Sequence, residues 1–346
     1  MYDYCLEILH HWAALLIVPS SALSIGSLIS AFVIASGFLI WKRHQRAKDL
    51  KLAVLLRALF PWRKLCSKSH RVDISFALLN TSVLATVIGV ALLSYNAVSA
   101  VVIDGLVTTF GPASPTVLPA LAAQIILTVA LFLAVEFAYW FDHYISHRIP
   151  FLWEFHRVHH EAEVLTPLTA FRVHPVDTIV YFNIKAICLG LTNGGLGYLF
   201  GANIHQFTFW DVNVLVVLAI HLVVHLQHTH VWIPFTGLFG HVMMSPAHHQ
   251  VHHSMNPAHF NKNLGGVLAI YDWLFGTLHV PTKTPEKLTF GVAKDAEHPA
   301  MPHTLTGSLV SPVVCATKQA FEALTVGQRP PTSAAHTALP DAEKPA

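Results

Sequence analysis

Five long apolar stretches constrain the fold of this chain more than any other feature of its sequence. They run over about residues 14–40, 74–93, 118–141, 178–200 and 207–224. A helix that crosses a bilayer needs on the order of 20 apolar residues, and several of these stretches meet that length. Hydrophobic residues make up 53% of the 346 residues and charged residues only 12%. The sequence therefore predicts an all-α integral membrane protein with about five membrane-spanning helices.

Lysine and arginine predict how these helices are oriented. Ten of them lie in the segment 42–72, whereas the segment 94–117 has none. Loops rich in Lys and Arg stay in the cytoplasm, so the first segment is predicted inside and the second outside. The third span then runs inward, and every histidine-rich segment follows at the cytoplasmic face. We therefore predict a multi-pass protein with its active site in a cytoplasmic, histidine-rich helical cap.

Many of the histidines have the spacing of metal ligands on helices. Seventeen of the 25 histidines lie between residues 143 and 259. Residues three or four positions apart share a helix face, so two triplets and one pair each present their imidazoles together. Two further histidines precede the second triplet. The candidate ligands are His143, His147, His156, His159, His160, His225, His228, His249, His252 and His253.

Ten imidazoles are too many for one metal ion of ordinary coordination. A tetrahedral zinc takes four ligands, so ten suit two ions with four or five ligands each and open positions between them. Open positions on a redox metal admit dioxygen, and we expect two irons, which zinc can replace in preparations. The chain lacks the repeated Glu-x-x-His of carboxylate-bridged di-iron bundles.

Four residues near these histidines have alternative interpretations. His174 either contributes to the site or caps a helix. His248 points about 100° away from His249 on a helix, which favours a structural role. Glu136, inside the third span, either bonds a ligand histidine or pairs within the bundle, and we favour the first. Asp272 either fixes a loop or orients a ligand.

Extended motifs around the histidines resemble the fatty acid hydroxylase / sterol desaturase superfamily, including its bacterial sterol desaturase-like members. The motifs lie at residues 136–147, 150–160, 172–175, 227–229, 245–253, 263–266 and 272–277, within a region of about 118–280. The resemblance implies an integral membrane oxygenase with a histidine-bound di-metal centre. Its ligands fall on the same histidines, although the motif around His225 is looser than the others.

The resemblance also implies the partners of the chain. They are a membrane lipid as substrate and an external electron donor of the cytochrome b5-like or ferredoxin type. The chain has neither a His-Pro-Gly-Gly haem motif nor a Gly-x-Gly-x-x-Gly nucleotide motif, so we expect no haem or flavin in it. A net charge of +2 does not indicate nucleic acid as a partner.

Three regions are predicted along the chain. Residues 1–117 form an N-terminal transmembrane hairpin of two spans with a basic cytoplasmic loop. Residues 118–280 form the fatty acid hydroxylase-like catalytic domain. Residues 281–346 are a Pro/Ala-rich tail, largely irregular apart from one helix near 314–324.

The leading hypothesis is a membrane-bound di-iron oxygenase that hydroxylates or desaturates a sterol, a fatty acyl chain or an ether lipid. No catalytic side chain is expected beyond the metal ligands, because the metal carries the difficult step. The alternative is a histidine-rich membrane metal-binding protein or transporter. A zinc-dependent lipid hydrolase is a third hypothesis, which the number of ligands disfavours.

Overall fold

A computed structural model describes residues 13–47, 51–84, 92–113, 118–201, 204–292 and 303–325. Helices dominate these residues, in agreement with the predicted all-α class. The two strands β1 (Thr208–Phe209) and β2 (Val212–Asn213) form one short antiparallel pair.

The bounds of the helices follow in chain order. The α-helices are α1 (Ile25–His44), α2 (Leu52–Leu59), α3 (Trp62–Leu65), α4 (Lys68–Leu79), α5 (Tyr95–Phe110), α6 (Ala120–Arg148), α7 (Pro150–His160), α8 (Pro175–Phe200), α9 (Val214–Leu222), α10 (Gly237–Val242), α11 (Pro246–His252), α12 (Ile270–Leu274) and α13 (Leu305–Thr325). A π-helical turn lies at Asn80–Leu84, and 3-10 turns lie at Pro167–Phe171, Val224–Leu226 and Pro257–His259.

Three helices are long and apolar enough to cross a membrane, namely α1, α6 and α8. They correspond to the spans predicted at residues 14–40, 118–141 and 178–200. Most residues of these helices are not buried inside the chain, as expected of surfaces that face lipid. The length and composition of these helices identify a membrane protein.

Five spans are not confirmed. The predicted span 207–224 begins with the β1–β2 hairpin, whose turn places Trp210 and Asp211 at positive φ, and continues as the nine-residue α9. Nine helical residues cover about 14 Å, which is half of a bilayer core. Of the predicted span 74–93, residues 85–91 lie outside the described residues.

The segment 94–117, predicted as an external loop, contains the 16-residue helix α5. This helix packs against α8 so closely that a Cβ atom at Gly194 would lie 2.7 Å from the Cβ atom of Val102. Sixteen residues are too few for a span, and the segment has no lysine or arginine. These two properties gave it the sequence pattern of a loop.

The helices α6 and α7 carry five of the predicted ligands and follow one another almost without a break. Only Ile149 separates the last residue of α6, Arg148, from the first residue of α7, Pro150. Proline suits the first turn of a helix, because its missing N–H has no partner there in any case. The apolar helix therefore leads directly into the helix that carries the first histidine triplet.

The helix predicted near residues 314–324 is present, and it is longer than predicted. It begins at Leu305 as α13 and packs against α7, where Gln319 Nε2 donates to Glu154 Oε1 at 2.9 Å. Residues 293–302 and 326–346 of the predicted irregular tail lie outside the described residues.

Candidate metal centre

Nine histidines converge into two adjoining groups near the end of α6. In each group the candidate ligand atoms lie within 4.8 Å of one another. The five-histidine group consists of His143, His147, His156, His160 and His252. The four-histidine group consists of His159, His228, His249 and His253. All nine are buried except the half-buried His147.

Each histidine triplet divides between the two groups. Within α7, His159 belongs to the four-histidine group and His160 to the five-histidine group. Consecutive residues leave a helix about 100° apart, so one short helix reaches both groups. Of the triplet at α11, only His252 belongs to the five-histidine group, and the other two histidines belong to the four-histidine group. Across the boundary, the ring centroids of His160 and His253 are 4.6 Å apart.

Backbone carbonyls of one loop hold two imidazoles of the five-histidine group. His143 Nδ1 lies 2.8 Å from the carbonyl oxygen of Leu264, and His252 Nδ1 lies 2.9 Å from that of Lys262. A carbonyl oxygen only accepts hydrogen bonds, so both imidazoles carry a proton on Nδ1. Each therefore presents the lone pair of Nε2 to the group, as metal-bound histidines do.

A carboxylate holds a third imidazole of the same group. Asp177, in the first turn of α8, lies with Oδ2 3.0 Å from His156 Nδ1. A carboxylate behind an imidazole fixes its tautomer and makes its other nitrogen more basic. Sequence reasoning missed Asp177, although a carboxylate three residues after the His174 motif position was a readable signal.

The four-histidine group is neutral and closely spaced. Burial lowers the pKa of His228 to about 3 and lowers the pKa values of His159, His249 and His253 well below their ordinary value. The Nε2 atom of His228 lies 2.9 Å from that of His249 and 3.1 Å from that of His159. Metal–nitrogen bonds of about 2.0–2.1 Å place neighbouring ligand atoms about 2.9–3.4 Å apart. The spacing of these nitrogens fits one metal ion.

Two histidines of the five-histidine group also have lowered pKa values. Burial lowers the pKa of His252 to about 3, and it lowers the pKa of His160 well below the ordinary value. Neutral imidazoles with free lone pairs are the form that binds metals.

A buried network of polar side chains holds the backbone of α7 in place. Asp73 of α4 accepts from Thr169 Oγ1 at 2.8 Å and from Arg172 Nη1 at 3.4 Å. Arg172 Nε donates to the carbonyl of Val158 at 2.8 Å. Because Val158 lies between His156 and His159 of α7, the arginine fixes the backbone from which the histidines project.

Glu136 bonds backbone, not a ligand histidine. Its Oε2 accepts from the N–H groups of Val267 at 2.7 Å and Leu268 at 2.8 Å. The favoured interpretation of Glu136 was therefore wrong. These two hydrogen bonds fasten the loop that carries Val267 and Leu268 to α6.

Asp272 fixes the loop that supplies the carbonyl groups. Its carboxylate accepts from the N–H groups of Leu264 at 2.9 Å and Gly265 at 2.7 Å, and from Thr277 Oγ1 at 2.6 Å. This is the loop-fixing role that the sequence left open. The carbonyl of Leu264 is thereby held behind His143.

Three other histidines considered from the sequence lie in neither group. His225, a predicted ligand, is buried in the turn Val224–Leu226. His174 caps α8, because its Nδ1 accepts from the N–H of Val176 at 3.2 Å. His248 forms a capping box with Ser245 at the start of α11. The structural interpretations of His174 and His248 are confirmed.

The fold and the site together define a class of protein. It is a helical membrane protein with two adjoining groups of imidazoles at the end of an apolar helix, each with the spacing of a metal-ligand set.

The comparison with known proteins agrees with this class. Residues 128–277 match the model of the fatty acid hydroxylase family. Alkylglycerol monooxygenase of Xenopus tropicalis is 29% identical over 164 residues, which cover 46% of this chain and 32% of the relative. Ornithine lipid hydroxylase OlsE of Rhizobium tropici is 29% identical over 173 residues, covering 50% and 46%. Alkylglycerol monooxygenase of Homo sapiens is 29% identical over 164 residues, covering 46% and 32%.

The match of residues 128–277 supports the fatty acid hydroxylase superfamily for this region, as the histidine motifs predicted. The aligned region spans less than half of the length of each of these relatives. No solved structure shows a significant match to the chain.

Proposed function

We propose that this chain is a membrane-bound di-iron oxygenase that hydroxylates or desaturates a lipid, using O2 and electrons from an external donor. The observation that carries the proposal is the pair of adjoining groups of five and four buried imidazoles. The names of the relatives, a monooxygenase and a hydroxylase of lipids, support an oxygen-dependent oxidoreductase.

The donor set fits two redox metals. Imidazole binds iron, copper, nickel and zinc, and five and four nitrogen ligands leave coordination positions open for O2. Two irons bound there would supply activation of O2 and attack on an unactivated C–H bond. Hydroxylation consumes one O2, two electrons and two protons for each alcohol and water formed, so a reductant is required.

The protein itself orients the ligands and excludes water. Asp177 and the carbonyls of Lys262 and Leu264 hold the imidazoles of one group in the metal-binding tautomer. Burial keeps bulk water from the site, so side reactions with solvent are suppressed. The residues that position the ligands are thus the protein's own contribution to catalysis.

The location of the site suits a lipid substrate. His143 and His147 lie in the last two turns of α6, next to the end of an apolar helix. A lipid chain can reach this position from the bilayer while electrons arrive from the aqueous side. Alkylglycerols and ornithine lipids, for which the relatives are named, are the substrates to test beside sterols and fatty acyl lipids. We place the aqueous side in the cytoplasm and expect a cytochrome b5-like or ferredoxin-type donor.

The proposal is tested with one ligand changed in each group, His143→Ala and His159→Ala. Each variant should lose about half of the bound iron and should reduce O2-dependent lipid turnover at least a hundredfold, because each group holds one of two cooperating ions. Iron is counted in the purified protein by mass spectrometry, and products are identified by untargeted lipid analysis under air.

The matched control is His205→Ala, which removes an exposed histidine that belongs to neither group. It should leave iron content and turnover unchanged. Parental iron content and turnover in both ligand variants would contradict the proposal. Metal flux into liposomes without any lipid product would instead favour the transporter hypothesis.

A further inference from the structure

A third group of potential ligands lies apart from the nine histidines of the metal centre. It consists of His259, His279 and Glu286, whose ligand atoms lie within 4.8 Å of one another. His259 Nε2 is 3.5 Å from Glu286 Oε2, and the ring centroids of His259 and His279 are 5.1 Å apart. His259 lies in the turn Pro257–His259, and the other two residues lie about twenty residues or more further along the chain.

We propose that His259, His279 and Glu286 form a third metal site, which holds one divalent transition ion such as Zn²⁺. Two imidazoles and one carboxylate are a known ligand set for zinc, with a water molecule as the fourth ligand. Zinc–ligand bonds of about 2.0–2.2 Å need ligand atoms about 3.3–3.5 Å apart. The 3.5 Å separation of His259 Nε2 and Glu286 Oε2 already meets this condition.

A simple ion pair between His259 and Glu286 explains this geometry less well. The side chain of His259 is 6% exposed, and burial lowers its pKa, so the neutral form that binds metals is favoured over the charged form that pairs with a carboxylate. Glu286 Oε1 and His259 Nδ1 are buried and have no hydrogen-bond partner among the described residues. A metal ion satisfies the carboxylate in a way that one neutral imidazole does not.

The third site lies beside the loop that supports the five-histidine group. Asn263 bonds the backbone of His279 in both directions: its Oδ1 accepts from the His279 N–H at 2.7 Å, and its Nδ2 donates to the His279 carbonyl at 2.9 Å. The metal would close a loop from His259 to His279 that contains Lys262 and Leu264. These residues hold His252 and His143, so the third ion stabilises the support of the five-histidine group.

Zinc stoichiometry tests the third site independently of any activity. The full-length protein in detergent is stripped with a chelator, reloaded with Zn²⁺ and analysed by mass spectrometry. His279→Ala should lose about one zinc per chain, and Glu286→Gln should weaken that zinc at least tenfold, because an amide is a poor ligand. The matched control is His303→Ala, because His303 Nε2 lies 3.2 Å from Glu163 Oε1 in an exposed pair outside all three groups.

A thiolate ligand gives a signal specific to this site. His279→Cys retains a zinc-binding set and, with Co²⁺, should show a thiolate-to-cobalt charge-transfer absorption that the parent protein lacks. This variant and Glu286→Gln decide the matter if His279→Ala does not fold. Unchanged zinc affinity in Glu286→Gln, or no such absorption in His279→Cys, would overturn the third site. Either result leaves the di-iron proposal untouched, since that is tested by changing His143 and His159.

Discussion

At the scale of single residues, Asp177 differs from the backbone carbonyls that hold the other imidazoles, because its carboxylate is negatively charged. We expect Asp177→Asn to lower the metal affinity of the five-histidine group about tenfold to a hundredfold, since the amide can still accept from His156 but no longer makes its imidazole more basic. Chelator competition measures this affinity. The control is Asp211→Asn, which changes an exposed aspartate in the β1–β2 turn. Equal affinities in the parent and Asp177→Asn would contradict the role.

The sequence predicted nine of the grouped histidines because their spacing is visible in the residue types themselves. It did not predict the acceptors at Lys262 and Leu264, because a backbone carbonyl has no residue signature. It misassigned Glu136 for a related reason. A carboxylate within an apolar span predicts that hydrogen-bond partners exist, but it does not identify them. The N–H group of Val267 comes from a loop more than a hundred residues away.

At the scale of elements, α7 depends on a buried ion pair that α13 covers. Arg157 Nε lies 3.2 Å from Glu154 Oε2, and both side chains are at most 1% exposed. Removing one charge leaves the other buried and unpaired, which costs about 3–5 kcal/mol. We therefore expect Glu154→Gln to lower the unfolding temperature clearly, as measured by thermal unfolding in detergent.

The control for Glu154→Gln makes the same substitution in an exposed pair. Glu322 of α13 lies 3.8 Å from Lys318, and both side chains are more than half exposed. Such pairs contribute about 0.3–0.5 kcal/mol, so Glu322→Gln should change the unfolding temperature little. Similar shifts in the two variants would show that the Glu154–Arg157 pair has no special weight.

The long elements were predictable, and the short ones were not. The helices α6 and α8 are uniform apolar runs, whose composition alone defines them. The helix α5 depends on its contact with α8, where Gly194 lets the two backbones approach. The segment 207–224 has the hydropathy of a span, but the turn at Trp210 and Asp211 interrupts it. Tertiary contacts and turns of this kind leave little trace in hydropathy.

At the scale of the whole molecule, the buried histidines make the stability of the metal-free protein depend on pH. The pKa of His228 and of His252 is lowered to about 3 by burial, whereas an unfolded histidine has a pKa near ~6.5. Above pH ~6.5 neither state binds these protons, and stability is complete. As the pH falls toward 3, the unfolded chain binds protons that the folded chain does not. Stability then falls by about 1.4 kcal/mol per pH unit for each such histidine.

We therefore expect chelator-treated protein to unfold at a lower temperature at pH 5.5 than at pH 7.5 in the same detergent. Thermal unfolding followed by circular dichroism measures the difference. Identical unfolding temperatures at the two pH values would show that these histidines are not held neutral by the fold.

The orientation of the chain can be tested with a native cysteine. Cys66 is exposed and lies within the basic segment 42–72, which the positive-inside rule assigns to the cytoplasm. A membrane-impermeant maleimide should therefore label it in inverted vesicles and not in right-side-out vesicles. Cys66→Ser should abolish this labelling. Labelling in right-side-out vesicles alone would reverse the proposed orientation.

Ile149 alone connects the candidate membrane helix α6 to α7, which carries the first histidine triplet. A helix whose apolar length does not match the surrounding bilayer adjusts its tilt. Tilting α6 moves His143 and His147 against the histidines of α7, because a one-residue connection cannot absorb the rotation. We therefore expect the thickness of the host membrane to act on the geometry of the two histidine groups, so that the lipids around the protein influence the shape of the candidate metal centre.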